Sequence, residues 1–461
     1  MIISEAIVQK ALEAALSTGA DFADVFIEDS YSSVLSFNSK RPDEAVVGQM
    51  YGAGIRVFFG QEIVYVTTND LSEAGLVRAA LKAAQSRPNG TAQNKILIAS
   101  PIKYDSIHKF GDMPWETNRE SKFQWLNSLD QHARATSSLV TQVFTSLNEK
   151  FQKVQIANSL GLHVYDERAN SRVVITSYVE NNGNKEASSD NEGVMGTLEF
   201  IQGVDLKKLA VDTVNRAILL SNSKFAPAGE MPVVMDNGFG GVIFHEACGH
   251  LLETTQVQTG STPFAGKLGQ KVAHESVTAI DDGTLVNEWG SLNIDDEGNK
   301  TQRTVLIDKG ILKSYMADRM GSIKTGHEMT GSGRRQNYKL APASRMRNTF
   351  IDRGTDKFES MIKDVDYGLY AKKMGGGSVG ATGDFNFKVE EGYIIRNGQI
   401  EEAVKGACLI GKGPEAMQNI IKVSDDLKLA TGMCGSVSGT IPAAVGQPQI
   451  LVSKMIVGGR A

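Results

Sequence analysis

Apolar residues near the amino terminus recur at helical spacing. Ile7, Val8, Ala11, Leu12, Ala15 and Leu16 share one face, with Glu5, Lys10 and Glu13 set among them. The pattern predicts a first helix within residues 1–20. A stretch broken by three charges is not the apolar run of a secretory signal. The periodicity then shortens, and runs rich in Val, Ile, Phe and Thr predict strands over 23–29, 31–38, 52–59 and 62–67. Helical spacing returns over 71–84, where Asp70 or Ser72 is placed to cap and Pro88, Asn89 and Gly90 to terminate. A more polar helix is expected over 115–135, strands over 139–147, 151–157 and 173–179, and a closing helix over 206–220. These elements make an α+β half whose neighbouring strands run antiparallel.

The polar, proline-bearing stretch 221–232 separates this half from one of different composition, giving an N-terminal α+β domain, 1–223, and a C-terminal domain, 224–461. Beyond it, three turn signals, Asp281-Asp282-Gly283, Asp308-Lys309-Gly310 and Arg396-Asn397-Gly398, each predict a hairpin, since glycine supplies the positive φ of a tight turn. The second half is therefore expected to be mostly β, with one notable helix near its start.

Composition narrows the classes. The 461 residues carry 48 basic and 53 acidic side chains, a net charge of −5 that argues against a chain built to wrap nucleic acid. Three cysteines do not make a disulfide framework, so a reducing cytoplasm is the expected compartment. No run reaches the 18 or so apolar residues of a spanning helix, and no membrane partner is expected.

The helix near the start of the second half carries the chemistry. Residues 232–235 read as a buried strand and 236–241 as a loop. Val242 to Glu253 then reads as a mostly apolar helix containing His245, Glu246 and His250, the pattern H-E-x-x-x-H. Burying two imidazoles and a carboxylate in such a segment is costly unless they find partners, and a metal ion is a strong one. The spacing is unusual. Histidines five apart lie roughly 140° apart around a regular α-helix and do not aim at one ion. An i→i+5 turn would realign them, and such turns occur often at functional sites; Gly249 could ease that distortion or end the helix. A catalytic zinc takes three protein ligands and leaves a position for water. Spacing does not name the third, and Glu253, Cys248, Asp295, Glu297, Cys408 and Cys434 are all candidates, with Glu253 alternatively orienting a histidine.

Several further segments bear on identity: Gly19-Ala20-Asp21-Phe22-Ala23-Asp24-Val25, the nine residues His245 to Glu253, Asp295-Asp296-Glu297-Gly298, Gly331-Ser332-Gly333-Arg334-Arg335, Arg345-Met346-Arg347-Asn348-Thr349 and Met433-Cys434-Gly435. Jointly they resemble the TldD/PmbA metalloprotease family, and within it the metal-bearing members, over nearly the whole chain. The resemblance implies zinc held by His245, His250 and Cys434, with Glu246 as the catalytic carboxylate. It implies hydrolysis of peptides or unfolded segments by metal-activated water, Glu246 taking the proton and later passing it to the leaving amine. A thiolate ligand leaves the metal a weaker Lewis acid, so extra oxyanion donors are expected, from Arg334, Arg335 or loop amides. The family also implies a groove between two subunits, as a homodimer or a heterodimer with a metal-free PmbA-like paralogue. Two stretches, 254–256 and 436–440, depart from the family's pattern, the first lacking its Gly-Asp pair and basic residues, the second its lysine.

Other features carry less. Asp295 to Leu306 fails as an EF-hand, since Lys300 and Leu306 stand where glycine and glutamate are required. The run Gly375 to Gly380 lacks the Lys-Ser/Thr of a phosphate loop and reads as a flexible or substrate-framing loop. Arg334-Arg335 has the look of a solvated pair, and His108, His132, His163, His274 and His327 are isolated. A rival from another class is a binding or regulatory module whose metal only stabilises the fold; an aminopeptidase rather than an endopeptidase is a second.

Overall fold

The computed structural model describes residues 2–87, 90, 97–380 and 383–459; the expected terminators Pro88 and Asn89 lie outside the described residues. The first helix, Glu5–Leu16, buries Val8, Ala11, Leu12 and Ala15, the face its spacing predicts. The second, Glu73–Gln85, is capped by Ser72, whose hydroxyl accepts from the Gly75 N–H and itself donates to Asp70. Both helices share a core with a seven-stranded sheet. Its order is 62–68, 41–59, 22–38, 140–158 and 163–181, with 102–103 and 184–194 both pairing with the last. All pairs but the short 102–103 edge are antiparallel.

These strands run longer than expected. The predicted runs 23–29 and 31–38 are one strand, Phe22–Asn38, and 139–147 and 151–157 are one strand, Val140–Asn158. Polar residues such as Ser30 and Lys150 do not interrupt them, because the two strands pair residue for residue from Asp24 to Asn38. The stretches 41–51 and 184–194 were not predicted; they are largely exposed and lack the apolar alternation that marks a strand.

After the helix Leu206–Asn222 the chain enters two large sheets, beside a small one in which 333–334 pairs with 343–344. Strands 229–235, 367–379, 384–396, 408–412 and 450–458 pair in a closed ring, with 224–225, 399–405 and 420–423 attached. The other sheet has six strands, ordered 311–312, 303–308, 279–282, 348–351, 439–447 and 428–436. The segment 242–252 packs in a core shared by both. Phe244, Ala247, Cys248 and Leu251 cluster with Leu369, Phe385 and Phe387 of the ring and with Ile307, Ile351 and Ile441 of the six-stranded sheet. The protein is thus of α+β class, and the candidate site lies in its β-rich half.

Two of the three turn signals make hairpins: Lys309 and Gly310, and Asn397 and Gly398, all have positive φ. Asp281-Asp282-Gly283 does not. The strand Ala279–Asp282 pairs instead with residues that return only at Arg303, and Gly283 is needed where Thr301 and Arg347 crowd its α-carbon. The run Gly375 to Val379 is not a loop either; it is the bulged end of the strand Tyr367–Val379, where Gly377 lies against the Asn386 carbonyl and the Phe387 ring.

The halves are joined by buried charge. Arg56 contacts Asp24 at 2.5 Å within its own sheet and Glu297 across the join at 2.6 Å, while Arg168 reaches Asp296 at 2.5 Å. Asp296 and Glu297 are therefore engaged here rather than at the metal-site helix, and the Asp295 carboxylate accepts from the Glu297, Asn299 and Gly333 N–H groups.

Candidate metal centre

Local backbone geometry brings the two histidines together. Residues 242–244 are α-helical, 245–249 wind more widely, and 250–252 tighten again. The His250 N–H donates to the His245 carbonyl, an i→i+5 bond. The expected realignment is present, and the two rings stand 5.1 Å apart and nearly perpendicular. Gly249 neither ends the helix nor has unusual dihedrals (φ −53°, ψ −54°); a Cβ there would overlap the Met346 sulfur. The carbonyl of Ala247 is approached in the same way by Gly413.

The third donor arrives from 184 residues further on. Cys434 lies in the strand Lys428–Ser436 at the edge of the six-stranded sheet. Its Sγ is 3.3 Å from His245 Nε2 and 3.4 Å from His250 Nε2, and the three donor atoms lie within 4.8 Å of one another. Donors at ordinary zinc distances on a tetrahedron stand about 3.6 Å apart, so the set fits one such cation. His245 and Cys434 are buried. Glu246 projects beside them, one carboxylate oxygen 3.7 Å from His250 Nε2 and its side chain a quarter exposed.

Of the other third-ligand candidates, Glu253 is at the site in a different capacity. The chain leaves the helix there (ψ 131°), held by the Thr254 N–H donating to the Met316 carbonyl. The Glu253 carboxylate thereby accepts from His250 Nδ1 at 3.2 Å, which places the proton on Nδ1 and leaves Nε2 free as a donor atom. Cys248 is wholly buried among apolar residues, which raises its pKa, and Cys408 contacts Asn386 instead.

Arg345 completes the surroundings, and sequence reasoning gave it no role. It is fully buried, donates to the Cys434 carbonyl at 2.5 Å and to Ser438 and Gly439, and its Nε stands 4.0 Å from Glu253. The available signal was a second arginine, Arg347, two residues away in a segment otherwise suited to burial; Arg347 is equally buried and pairs with Asp281 at 2.7 Å. Arg334 and Arg335 are not a solvated pair: both are buried, with guanidinium groups directed to the Met346 carbonyl and to Tyr65 and Leu340. Of the remaining histidines, His108 and His163 are buried and hydrogen-bonded to neighbouring backbone or amide groups.

The electrostatics favour a cation. Burial opposes charge on His250, but Glu253 and the Cys434 sulfur outweigh it and hold the imidazole well above its ordinary range. Burial likewise raises the Cys434 thiol, yet His245 and His250 pull it far below. A thiolate beside two imidazoles is a set of donors that a metal ion can take up by displacing the imidazole protons.

Profiles described as PmbA/TldA metallopeptidase domain 1, central domain and C-terminal domain match residues 23–86, 112–220 and 228–459. A metalloprotease TldD homolog of Buchnera aphidicola is 34% identical over 97% of this chain and 95% of its own. Another from Haemophilus influenzae is 37% identical over 88% and 86%. A zinc metalloprotease TldD homolog of Saccharolobus solfataricus is 25% identical over 98% and 99%. Among solved structures, TldE from Thermococcus kodakarensis superposes with a TM-score of 0.75 at 18% identity, covering 95% of this chain and 97% of that one, a likeness of fold. With three family domains in order along it and relatives above 30% identity over most of its length, this chain belongs to the PmbA/TldD metallopeptidase family.

Proposed function

We propose that this protein is a zinc-dependent peptidase in which His245, His250 and Cys434 hold the metal and Glu246 is the general base. One observation carries the reading: two imidazoles of one turn and a sulfur from a distant strand lie within 4.8 Å, beside a carboxylate with access to solvent. When bound, zinc supplies the Lewis acidity that makes water a nucleophile near neutral pH and polarises a carbonyl. Glu246, beside His250, would take a proton from the attacking water and pass it to the departing amine. Glu253 fixes the His250 ring and its tautomer, and Arg345 fixes the strand that presents Cys434. The substrates are peptides or unfolded segments, worked on in a groove between two subunits, with a second copy or a metal-free paralogue as the partner. Three unpaired cysteines, one of them needed as thiolate, suit a reducing cytoplasm. No helix among the described residues is long and apolar enough to cross a membrane.

The test pairs metal content with hydrolysis of a mixed peptide library. Glu246→Gln is expected to keep zinc and lose about 10²- to 10⁴-fold in rate. Zinc occupancy is expected to collapse in both Cys434→Ala and His250→Ala. Full occupancy in those two variants, or unimpaired hydrolysis by Glu246→Gln, would overturn the assignment.

A further inference from the structure

Behind the strand that carries Cys434, between the seven-stranded sheet and the carboxy-terminal half, lies a cavity of about 510 Å³. Met433 and Ile441 line it, and Ile441 is the residue paired with Cys434 across the hairpin. Met433 is half-exposed and Cys434 buried, so the cavity and the candidate metal centre lie on the two faces of one edge strand.

Its wall is rich in cations, and most have an anionic or neutral partner. Arg168 pairs with Asp296 and Asp166, and Lys150 stands 3.7 Å from Glu28. Glu149 is held by Lys122 at 2.8 Å. Arg335 gives its guanidinium to Tyr65 and to the Asp296 and Leu340 carbonyls. Arg334 is different. It is 3% exposed, it makes one hydrogen bond, to the Met346 carbonyl at 2.7 Å, and no carboxylate of the described residues lies within 4.0 Å of it. Arg172, also on the wall, has only the Asn191 amide oxygen at 3.0 Å. Burial pulls the Arg334 pKa down to about 10, so the side chain remains a cation at neutral pH. Asp296 and Asp281 act on it only from beyond pairing distance, so no carboxylate of the described residues takes up its fork, and a guanidinium fork matches a carboxylate.

We propose that this cavity is a subsite for a carboxylate of the peptide substrate, its carboxy terminus, with Arg334 as the principal anchor and Arg172 contributing charge. The inference rests on the peptidase reading for the identity of its ligand. It assigns the protein a preference for peptides with a free carboxy terminus.

Binding is measured by fluorescence anisotropy on the full-length, zinc-loaded Glu246→Gln protein, with two labelled octapeptide mixtures of one randomised composition, one as free acids and one as carboxy-terminal amides. The acids are expected to bind on the order of tenfold tighter, the worth of one charged hydrogen-bonded pair. Adding Arg334→Gln should bring the acids to the affinity of the amides and leave the amides unchanged, while Arg334→Lys should retain part of the preference. Equal affinity for the two mixtures, no binding of either, or a preference that survives Arg334→Gln would overturn the inference. The acid–amide comparison uses native Arg334, so it decides even where the glutamine variant does not fold. The two readings separate cleanly. A wild type that cleaves acids and amides at equal rates keeps the peptidase and removes the subsite; acid-selective binding with no cleavage keeps the subsite and removes the peptidase.

Discussion

At the scale of single residues, the candidate centre divides into atoms that face the donor cluster and atoms that hold those in place. Glu253 belongs to the second group, because its oxygen faces His250 Nδ1 and not the side on which Cys434 lies. Glu253→Gln keeps an acceptor but removes the charge that makes the imidazole a stronger donor. Zinc affinity is expected to fall about 10- to 100-fold, read by competition with a chelator of known affinity; an affinity equal to wild type would mean the ring is oriented by its packing alone. Sequence reasoning reached the two histidines and Glu246 through an internal inconsistency, charged groups in an apolar helix. It reached Cys434 only through family resemblance. The physical reason is distance along the chain: the strand pairing of 439–447 with 348–351 is what brings Cys434 over the helix. Arg345 was hidden for the same reason, since its partners are Glu253 and the carbonyl of Cys434.

At the scale of elements, one turn decides whether two histidines make a site. The i→i+5 bond from His250 to His245 was legible, because five-residue spacing on a regular helix is otherwise purposeless. What supports the wide turn was not legible. Gly413 and Gly249 both lie in helical or extended backbone with negative φ, and glycine is required by neighbours and not by dihedral angle. A Cβ on Gly413 would overlap the carbonyl oxygen of Ala247, a backbone atom within the turn that cannot swing aside as a side chain does. Gly413→Ala is therefore expected to cost about 1–3 kcal/mol and to lower zinc occupancy with it. Gly249→Ala meets only the end of the flexible Met346 side chain and should lose stability with smaller effect on metal. Thermal melts and metal analysis of the two variants together check this; retention of full zinc by Gly413→Ala would show that the turn is not held from that side.

At the scale of the whole molecule, the two halves meet through buried arginines that bridge a carboxylate of their own sheet and one of the other half, and this too lay beyond reading from periodicity: Arg56 and Glu297 are 241 positions apart. Arg56→Met leaves Asp24 and Glu297 buried without a cation, at a cost of about 3–5 kcal/mol, whereas Lys10→Met at the half-exposed pair with Glu73 should stay within about 1 kcal/mol; urea unfolding of both separates a structural join from a surface contact. The same join makes a statement about pH. Asp318 accepts from the Gly321 N–H at 2.9 Å and from Thr254, and its carboxyl is raised to about 6, first by burial and then by the charge of Glu297. A folded value above the ordinary 3.8 means that the group's contribution to stability is fully present below about pH 4 and is lost as pH rises through about 6. Asp318→Asn keeps the acceptor for Gly321 and never ionises. The stability of the wild type relative to this variant should therefore decline between pH 4 and pH 7 and level off above. Taking the difference between the two proteins cancels the pH dependence of zinc loading, which both share. Denaturation midpoints for the pair at pH 5 and pH 8 suffice, and two profiles that run parallel would show that Asp318 is ionised throughout and that the join tolerates two adjacent carboxylates.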